Sequence, residues 1–560
     1  MSSNAQTGGV PVLVLREGSN RSRGREALHA NIMAAKIVAE SVRSALGPKG
    51  MDKMLVDSFG DVTVTSDGRT ILDEMDVQHP AAKMLVEVAK AQDNEAGDGT
   101  TSAVIIAGEL LNRAEELIDK NVHPTIIIDG YRKAAEKALE TLEKIAIKID
   151  LTKETSSSER KYIGGFNVQG YLAKAAMTSM ASKLIADYKE YFASLAVKAM
   201  LEVAQKEGIT WKVDVEDVKV EKKTGESLGD TSLINGIVLD KEVVHSGMPK
   251  RMEKAKIALL DASLEIEKTE FDAKLNIETP DQIEAFLNEE EAMLKDMADK
   301  ITKSGANVVI CQKGIDDMAQ HFLSRKGVLA IRRAKKSDIE KLAKATGGKI
   351  VTKLDDITPA DLGYAALVEE RKIGEDKMTF VEGCKNPQAV TILIRGSTER
   401  FTAEAERSLH DALCVVRDLI EEPRVVAGGS APELEMSNTI RKYAETLPGK
   451  EQLAVKIFAE ALETIAVTLS ENAGLQPIDV LSELRSRHDA GETWAGIEVR
   501  EGKVQDMSKI GVFEPLTVKK QIIKSANDAA SMILKIDDII AAGKMKAPPG
   551  PPGGGMPGGG

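Results

Sequence analysis

The residues best suited to chemistry form one short run that joins glycines, a carboxylate and hydroxyls to a helix. Residues 97–102 read Gly-Asp-Gly-Thr-Thr-Ser, and apolar residues then recur at three- and four-residue steps. Glycines permit a tight turn and a close approach to a ligand, and the first turn of a helix attracts anions. Because Mg²⁺ is held by one or two carboxylates with phosphate oxygens and water, Asp98 is a candidate Mg²⁺ ligand beside a phosphate. The alternative is a turn in which threonine caps the helix.

Two further patterns in the first 70 residues fit the same chemistry. Residues 46–50 read Leu-Gly-Pro-Lys-Gly, which suits either a phosphate cradle or the glycine and proline that end a helix. Apolar runs at 54–56 and 62–65 predict a hairpin that places Asp67 at the end of its second strand. A carboxylate there is either held rigidly for catalysis or simply part of an Asp-Gly turn.

Composition restricts the class of protein. A chain of 560 residues, 42% hydrophobic and 29% charged, predicts a soluble protein of two to four domains. Its net charge of −13 argues against nucleic acid as the main partner. Cys311, Cys384 and Cys414 are widely spaced, which predicts neither disulfides nor a zinc site and fits a reducing cytoplasm. We find no apolar run of membrane-spanning length and no signal peptide, so we expect no membrane partner and a cytoplasmic location.

Apolar periodicity divides the chain into helical ends and an α/β middle. Residues 1–150, 433–488 and 516–541 are mainly helical, whereas short apolar runs at 308–311, 328–331 and 349–351 alternate with helical segments. This pattern predicts a domain built from both termini, with a βαβαβ domain inserted between them. The tail at 547–560 is almost wholly Pro, Gly and Met, so it lacks the apolar residues that would offset the entropy of ordering.

Six motifs together resemble the ATP site of the chaperonins, in the family's order and across nearly the whole chain. They lie at residues 46–50, 67–68, 97–102, 408–413, 426–429 and 511–515. Their details, with the Gly- and Met-rich tail, resemble the group II type, which comprises the archaeal thermosome and its eukaryotic cytosolic relatives.

The resemblance implies a multidomain chaperonin fold, with a mainly helical equatorial domain formed by both termini, a two-part intermediate domain and an inserted α/β apical domain with a helical protrusion. The implied ranges are 1–153 and 412–545 for the equatorial domain, 154–222 and 379–411 for the intermediate domain, 223–378 for the apical domain, and 546–560 for the tail.

The same resemblance implies ATP and Mg²⁺ as cofactors and assigns roles to the motif residues. Asp67 and Asp411 would position and activate water, Asp98 would hold Mg²⁺, and Lys183 is the candidate nucleotide sensor. The implied nucleotide-binding residues are Leu46, Gly47, Pro48, Gly68, Gly99, Thr100, Thr101, Ser102, Gly428, Gly429 and Glu514. Among them Gly428, Gly429 and Glu514 would meet the nucleoside.

The implied function is that of an ATP-dependent chaperone subunit in a double ring of identical or paralogous subunits, which binds and encloses non-native client proteins. A built-in lid is expected within residues 248–287, best at 264–275. The alternative is that some of the apolar residues there, above all Ile257 to Leu260, belong to strands or helix faces packed in the domain core. Many apolar residues in a segment that relatives project from the domain indicate an interaction site. They are Met248, Met252, Ile257, Leu259, Leu260, Leu264, Ile266, Phe271 and Leu275.

Three positions depart from the family pattern and leave a second function open. Ser66 stands where relatives usually have Asn, Arg69 where they usually have Ala, and Ser430 where a third Gly is usual. We expect Arg69 to lower the pKa of Asp67 or to lock it in a salt bridge. The alternatives to a folding machine are a weakly hydrolysing structural subunit of a mixed ring and a metabolic ATPase or kinase.

Overall fold

The computed structural model describes residues 20–151, 162–163, 166–167, 170–183, 185–208, 210–266, 280–384 and 389–541. The tail at 546–560 and the middle of the expected lid, at 267–279, lie outside the described residues. Within the described ranges, no helix combines the length and the apolar content that a membrane span requires.

The helices are α1 (Arg25–Arg43), α2 (Gly68–Glu74), α3 (Pro80–Ala96), α4 (Thr100–Asp119), α5 (Pro124–Ile145), α6 (Tyr171–Ser179), α7 (Lys189–Val203), α8 (Pro280–Lys303), α9 (Asp317–Arg325), α10 (Lys336–Thr346), α11 (Glu399–Glu421), α12 (Ala431–Ala444), α13 (Gly449–Leu462), α14 (Thr464–Ala473), α15 (Pro477–Asp489), α16 (Met507–Ile510) and α17 (Leu516–Leu534). The strands are β1 (Asn20–Arg23), β2 (Lys53–Val56), β3 (Val62–Thr65), β4 (Ile147–Lys148), β5 (Tyr162–Ile163), β6 (Phe166–Asn167), β7 (Gln205–Glu207), β8 (Thr210–Lys212), β9 (Val218–Thr224), β10 (Ser232–Ile234), β11 (Gly236–Leu239), β12 (Arg251–Leu260), β13 (Val308–Cys311), β14 (Leu329–Ile331), β15 (Ile350–Val351), β16 (Gly363–Ile373), β17 (Asp376–Cys384), β18 (Val390–Gly396), β19 (Arg424–Ala427), β20 (Ala495–Glu498), β21 (Lys503–Asp506), β22 (Phe513–Pro515) and β23 (Asp538–Ala541).

Both ends of the chain build one helical unit, as the periodicity predicts. Buried apolar residues between 28 and 142 and between 426 and 534 form a single core. Strand β1 pairs with β23, and β19 pairs with both β4 and β22, so hydrogen bonds also join the two ends. The predicted hairpin is present as β2 and β3, and α4 begins at Thr100.

The α/β middle contains a mixed sheet in the order β11-β17-β16-β12-β13-β14, with β15 pairing to the end of β12. Strands β12, β13 and β14 run parallel, and β15 is parallel to β12. Helices α9 and α10 connect β13 to β14 and β14 to β15, which confirms the predicted βαβαβ arrangement.

A smaller sheet has the strand order β10-β18-β9. Along the sequence, its strands come between the segments of the helical unit and those of the mixed sheet. Helices α6, α7 and α11 share a core with the smaller sheet. Strand β9 runs across the boundary implied at 222, β17 across that at 378, and α11 across that at 411. Because a strand or helix folds as one piece, we propose divisions near residues 235, 388 and 421 instead.

The described apolar residues that suggested a lid are core residues, which confirms the alternative for Ile257 to Leu260 and makes the lid expectation wrong for Leu264 and Ile266. Met248, Ile257, Leu259, Leu260 and Leu264 are buried in the core of the mixed sheet, and Met252 and Ile266 pack against it. Apolar residues alone do not distinguish a strand of a parallel sheet from an exposed face. Among the described residues of 248–293, the exposed large apolar side chains lie instead on α8, at Ile283, Phe286, Leu287 and Met293.

Two ion pairs of opposite polarity join the smaller sheet to α10 of the mixed-sheet unit. The ammonium of Lys219 on β9 lies 2.6 Å from Asp338, and both side chains are buried. Lys344 lies 2.5 Å from the buried Asp217 just before β9, but the Lys344 side chain is half exposed. Lys219 also donates to the carbonyl of Val238 on β11 at 2.7 Å. The Lys219–Asp338 pair therefore consists of desolvated charges that need each other.

We predict that Lys219→Met destabilises the protein by about 3–5 kcal/mol, because it leaves Asp338 charged, buried and without its partner. Lys222→Met is the matched control, since Lys222 on the same strand pairs with Glu406 at 2.7 Å in a more exposed position; it should cost under about 1 kcal/mol. Urea unfolding of both variants measures the difference, and equal losses would contradict the role assigned to the buried pair.

Candidate functional site

The loop at 97–102 connects α3 to α4 through two glycines that no other residue fits. Gly97 and Gly99 have φ of 66° and 80°, in the left-handed region. A Cβ on Gly97 would lie 2.2 Å from that of Cys414, and one on Gly99 would lie 2.6 Å from Cδ1 of Ile522. The turn holds Asp98 between them, where its Oδ1 accepts a hydrogen bond from the Gly99 amide at 2.6 Å.

Two adjoining cavities, of about 420 Å³ and about 90 Å³, open beside this loop. Those predicted site residues that line the smaller cavity are Leu46, Gly47, Asp67, Gly68, Asp98, Gly99, Thr100, Thr101, Ser102, Lys183 and Asp411. Those that line the larger one are Leu46, Gly47, Pro48, Asp98, Gly99, Ser102, Gly429 and Glu514. Gly428 lines neither, but a Cβ there would lie 2.8 Å from Oε1 of Glu514. Residues spread over the whole chain thus meet at one place.

The smaller cavity gathers three carboxylates around one ammonium. Lys183 forms a buried ion pair with Asp411 on α11. Burial raises the pKa of Asp411 well above its usual value, against the opposing effect of Lys183. Burial also lowers the pKa of Lys183, but Asp411, Asp67 and Asp98 outweigh it and raise that pKa overall. Lys183 is therefore the counter-ion of a chamber built to hold negative charge.

Asp67 is at once a helix cap and a wall of this chamber. Its Oδ2 accepts hydrogen bonds from the amide and the hydroxyl of Thr70, at 2.8 Å and 2.7 Å, at the start of α2. The two sequence interpretations of Asp67 are thus compatible, because capping occupies one carboxylate oxygen. The capping bonds fix the orientation of the carboxylate.

Arg69 does not form a salt bridge with Asp67, so the salt-bridge expectation is wrong. Its guanidinium forms an ion pair with the buried Asp93 on α3 and lies 3.6 Å from Asp73. The side chain extends along the face between α2 and α3, because the carboxylates available there are on those helices. Ser66, the second departure from the family pattern, makes one hydrogen bond: its hydroxyl donates to the carbonyl of Ser182 at 3.4 Å.

Ser430 occupies a backbone position that suits glycine, as its place in the pattern suggested. Its φ is 67° and its ψ is 10°, at the start of α12. The residue is 2% exposed, and its hydroxyl has no hydrogen-bond partner among the described residues. The site therefore carries both backbone strain and an unsatisfied polar group.

With this geometry established, comparison with known proteins identifies the fold. Residues 38–544 match the TCP-1/cpn60 chaperonin family. The chain belongs to the TCP-1/cpn60 chaperonin family. It is 57% identical to a thermosome subunit of Pyrococcus abyssi over 98% of each chain, and 57% identical to the thermosome subunit beta of Sulfurisphaera tokodaii over 96% of this chain and 95% of that one. A thermosome subunit alpha of Archaeoglobus fulgidus is 56% identical over 97% of each.

The chaperonin site offers Mg²⁺ few protein ligands. In the described part of the chain no three His, Cys, Asp or Glu side chains gather as a metal site would require. Asp98 lines the smaller cavity with the residues of the first turn of α4, and burial raises its pKa, so its ionised form needs a nearby cation. A single carboxylate with room for phosphate oxygens and water fits Mg²⁺ bound together with a nucleotide.

Sequence reasoning missed the buried charges of the larger cavity. Lys519 on α17 lies 2.8 Å from Glu433 and 2.7 Å from Glu514. A signal was present, since Lys519 occupies the apolar stripe of its helix between Leu516 and Ile522. A charged residue in an apolar stripe normally has a buried partner.

We predict that Ser430→Gly stabilises the protein by about 1 kcal/mol, because glycine adopts positive φ without strain. Ser430→Ala is the matched control, since it removes the unpaired hydroxyl but keeps a Cβ in the strained position. Thermal unfolding compares the three proteins. Should the alanine variant gain as much as the glycine variant, the hydroxyl rather than the backbone would be the cause.

Proposed function

We propose that this chaperonin subunit binds Mg²⁺-ATP in the two cavities and hydrolyses it, and that it assembles into a double ring that encloses non-native proteins. The observation that carries the proposal is the smaller cavity, where three carboxylates, one ammonium and the first turn of α4 surround a space of about 90 Å³. Phosphoryl transfer needs mainly positioning and charge neutralisation, which such a chamber supplies.

The two cavities suit the two parts of a nucleotide. Thr100, Thr101 and Ser102 of the first turn of α4 line the smaller cavity, and backbone amides and hydroxyls at a helix start suit phosphates. The larger cavity adds apolar side chains suited to a base, which are Ile465, Leu469, Ile497, Val499, Met507 and Ile510. Gly429 and Glu514 line the same space, where we assign the nucleoside.

The chamber also supports a catalytic role for its carboxylates. Asp98 would hold Mg²⁺, which neutralises phosphate charge when bound. Asp67 and Asp411 would orient and activate water, and Lys183 would exchange its carboxylate partner for a phosphate oxygen when the nucleotide arrives. Asp411 suits a base because burial has raised its pKa.

Exposed apolar side chains support roles in assembly and in client binding. On the β2–β3 hairpin, Met54, Val56 and Phe59 are exposed, with Phe59 91% accessible. A soluble protein covers such a surface with a partner, and we assign it to the neighbouring subunit. The exposed apolar residues of α8 are the candidate client-binding face, and its start is the described part of the proposed lid within 248–287 that they support.

A weakly hydrolysing subunit that acts as a structural partner in a mixed ring is the second candidate. Ser430 favours it, because strain beside the nucleoside cavity departs from the family pattern. We propose a cytoplasmic location for either case.

Negative-stain microscopy of the purified protein, with and without Mg²⁺-ATP, distinguishes these functions. We expect double rings that change from open to closed when ATP is added. Rings whose shape does not change when ATP is added would support the function of a structural partner. A monomer or dimer would support a metabolic ATPase or kinase.

We predict that Asp411→Asn keeps ATP bound but slows hydrolysis by about 10²–10⁴-fold, because a general base acts mainly in the transition state. His410→Ala is the matched control, since His410 is exposed on the same helix and lines neither cavity. Single-turnover hydrolysis beside equilibrium binding measures both effects. Loss of binding together with hydrolysis would reassign Asp411 to binding.

A further inference from the structure

The backbone carbonyl of Asp98 is held by a side chain that lines neither cavity. Gln92, near the end of α3, is fully buried, and its Nε2 donates to this carbonyl at 2.8 Å. Its Oε1 has no hydrogen-bond partner among the described residues. A buried amide with an unpaired oxygen is unfavourable for folding. Core packing alone would therefore favour an apolar residue here, and the hydrogen bond to Asp98 points to a role in the loop.

The carbonyl of Asp98 and the amide of Gly99 belong to one rigid peptide unit. The same amide donates to Oδ1 of the Asp98 carboxylate at 2.6 Å, so the orientation of the peptide unit also sets that of the carboxylate. Gly99 has a φ of 80°, and glycine adopts positive and negative φ about equally well. The backbone by itself thus gives this orientation little preference, and Gln92 supplies the preference by holding the carbonyl.

The turn that precedes the loop is held from α11. The last carbonyls of a helix have no partner within the helix, and Nη2 of Arg417 donates to the carbonyl of Glu95 at 2.6 Å. The guanidinium is held in turn by the buried Asp418, whose Oδ1 accepts from Nε at 2.9 Å and from Nη2 at 2.7 Å. The end of α3 is therefore fixed relative to α11, which also carries Asp411.

We propose that Gln92 is a positioning residue for Mg²⁺, which locks the peptide unit between Asp98 and Gly99 and so orients the Asp98 carboxylate for the metal. This inference rests on the proposed function and deepens it. A carboxylate that is already oriented needs no rearrangement of its loop when the metal and the nucleotide arrive. Loss of a group that orients a metal ligand typically lowers metal affinity by roughly 10- to 100-fold.

The test is equilibrium binding of a non-hydrolysable imido analogue of ATP to the full-length assembled protein, over a range of Mg²⁺ concentrations and in EDTA. Gln92→Met keeps the length of the side chain but cannot donate a hydrogen bond. It should raise the Mg²⁺ concentration for half-maximal binding roughly 10- to 100-fold and leave the affinity in EDTA unchanged. A merely structural role would weaken binding equally with and without Mg²⁺.

A double-variant cycle with Asp98→Ala tests whether Gln92 acts through that carboxylate. Once the carboxylate is removed, Gln92→Met should change the Mg²⁺ dependence no further. Gln92→Leu, which fills the same space with a different shape, keeps the test available if the methionine variant fails to fold. Asn94→Met is the matched control, because Asn94 is an exposed amide in the same turn of α3 and lines neither cavity; it should keep the wild-type Mg²⁺ dependence.

The outcomes separate this inference from the function on which it rests. Three results overturn the role of Gln92 and leave Mg²⁺-ATP binding standing: a wild-type Mg²⁺ dependence in the Gln92 variants, equal weakening of binding with and without Mg²⁺, or an effect that adds to that of Asp98→Ala. A wild type that does not bind the analogue, or binds it without regard to Mg²⁺, overturns the proposed Mg²⁺-ATP site together with this inference.

Discussion

The structure depends on one buried ammonium that lies among three carboxylates. Asp67, Asp98 and Asp411 come from the start of α2, the α3–α4 loop and α11, and their charges would repel one another in a desolvated chamber without Lys183. Lys183 pairs with Asp411 and follows α6, which belongs to the core of the smaller sheet. This ion pair therefore joins the segment after α6 to the wall of the chamber. A charged ligand that enters the chamber must change the ion pairs of the same groups.

Helix α11 connects the chamber to the smaller sheet. It begins directly after β18 of the smaller sheet and presents Asp411 to the chamber. Cys414 packs against Gly97, and Arg417 donates to the carbonyl of Glu95 at 2.6 Å. On its other side, the smaller sheet reaches α10 through the ion pairs of Lys219 and Asp217. A continuous series of packed elements thus runs from the cavity to the mixed sheet.

The sequence predicts the features that depend on neighbouring residues. The glycine loop, the β2–β3 hairpin and the βαβαβ order follow from local periodicity and turn chemistry, and all are present. The pairing of β9 with β18 joins segments about 170 residues apart, and the contacts of Lys519 join three separate elements, so no local pattern reveals them. Similarly, an apolar run does not indicate which of its side chains are exposed, which is why Leu264 and Ile266 are predicted for a lid but lie in or against the core of the mixed sheet.

The opposed ion pairs between α10 and the segment around β9 specify how these two elements meet. Each side of the contact carries one positive and one negative group, with Lys219 and Asp217 facing Asp338 and Lys344. Sliding α10 along β9 would separate both pairs, and breaking the buried pair of Lys219 and Asp338 would cost the most, because Lys344 is half exposed and stays hydrated. The polarity of the two pairs therefore selects one alignment of the mixed-sheet unit on the smaller sheet.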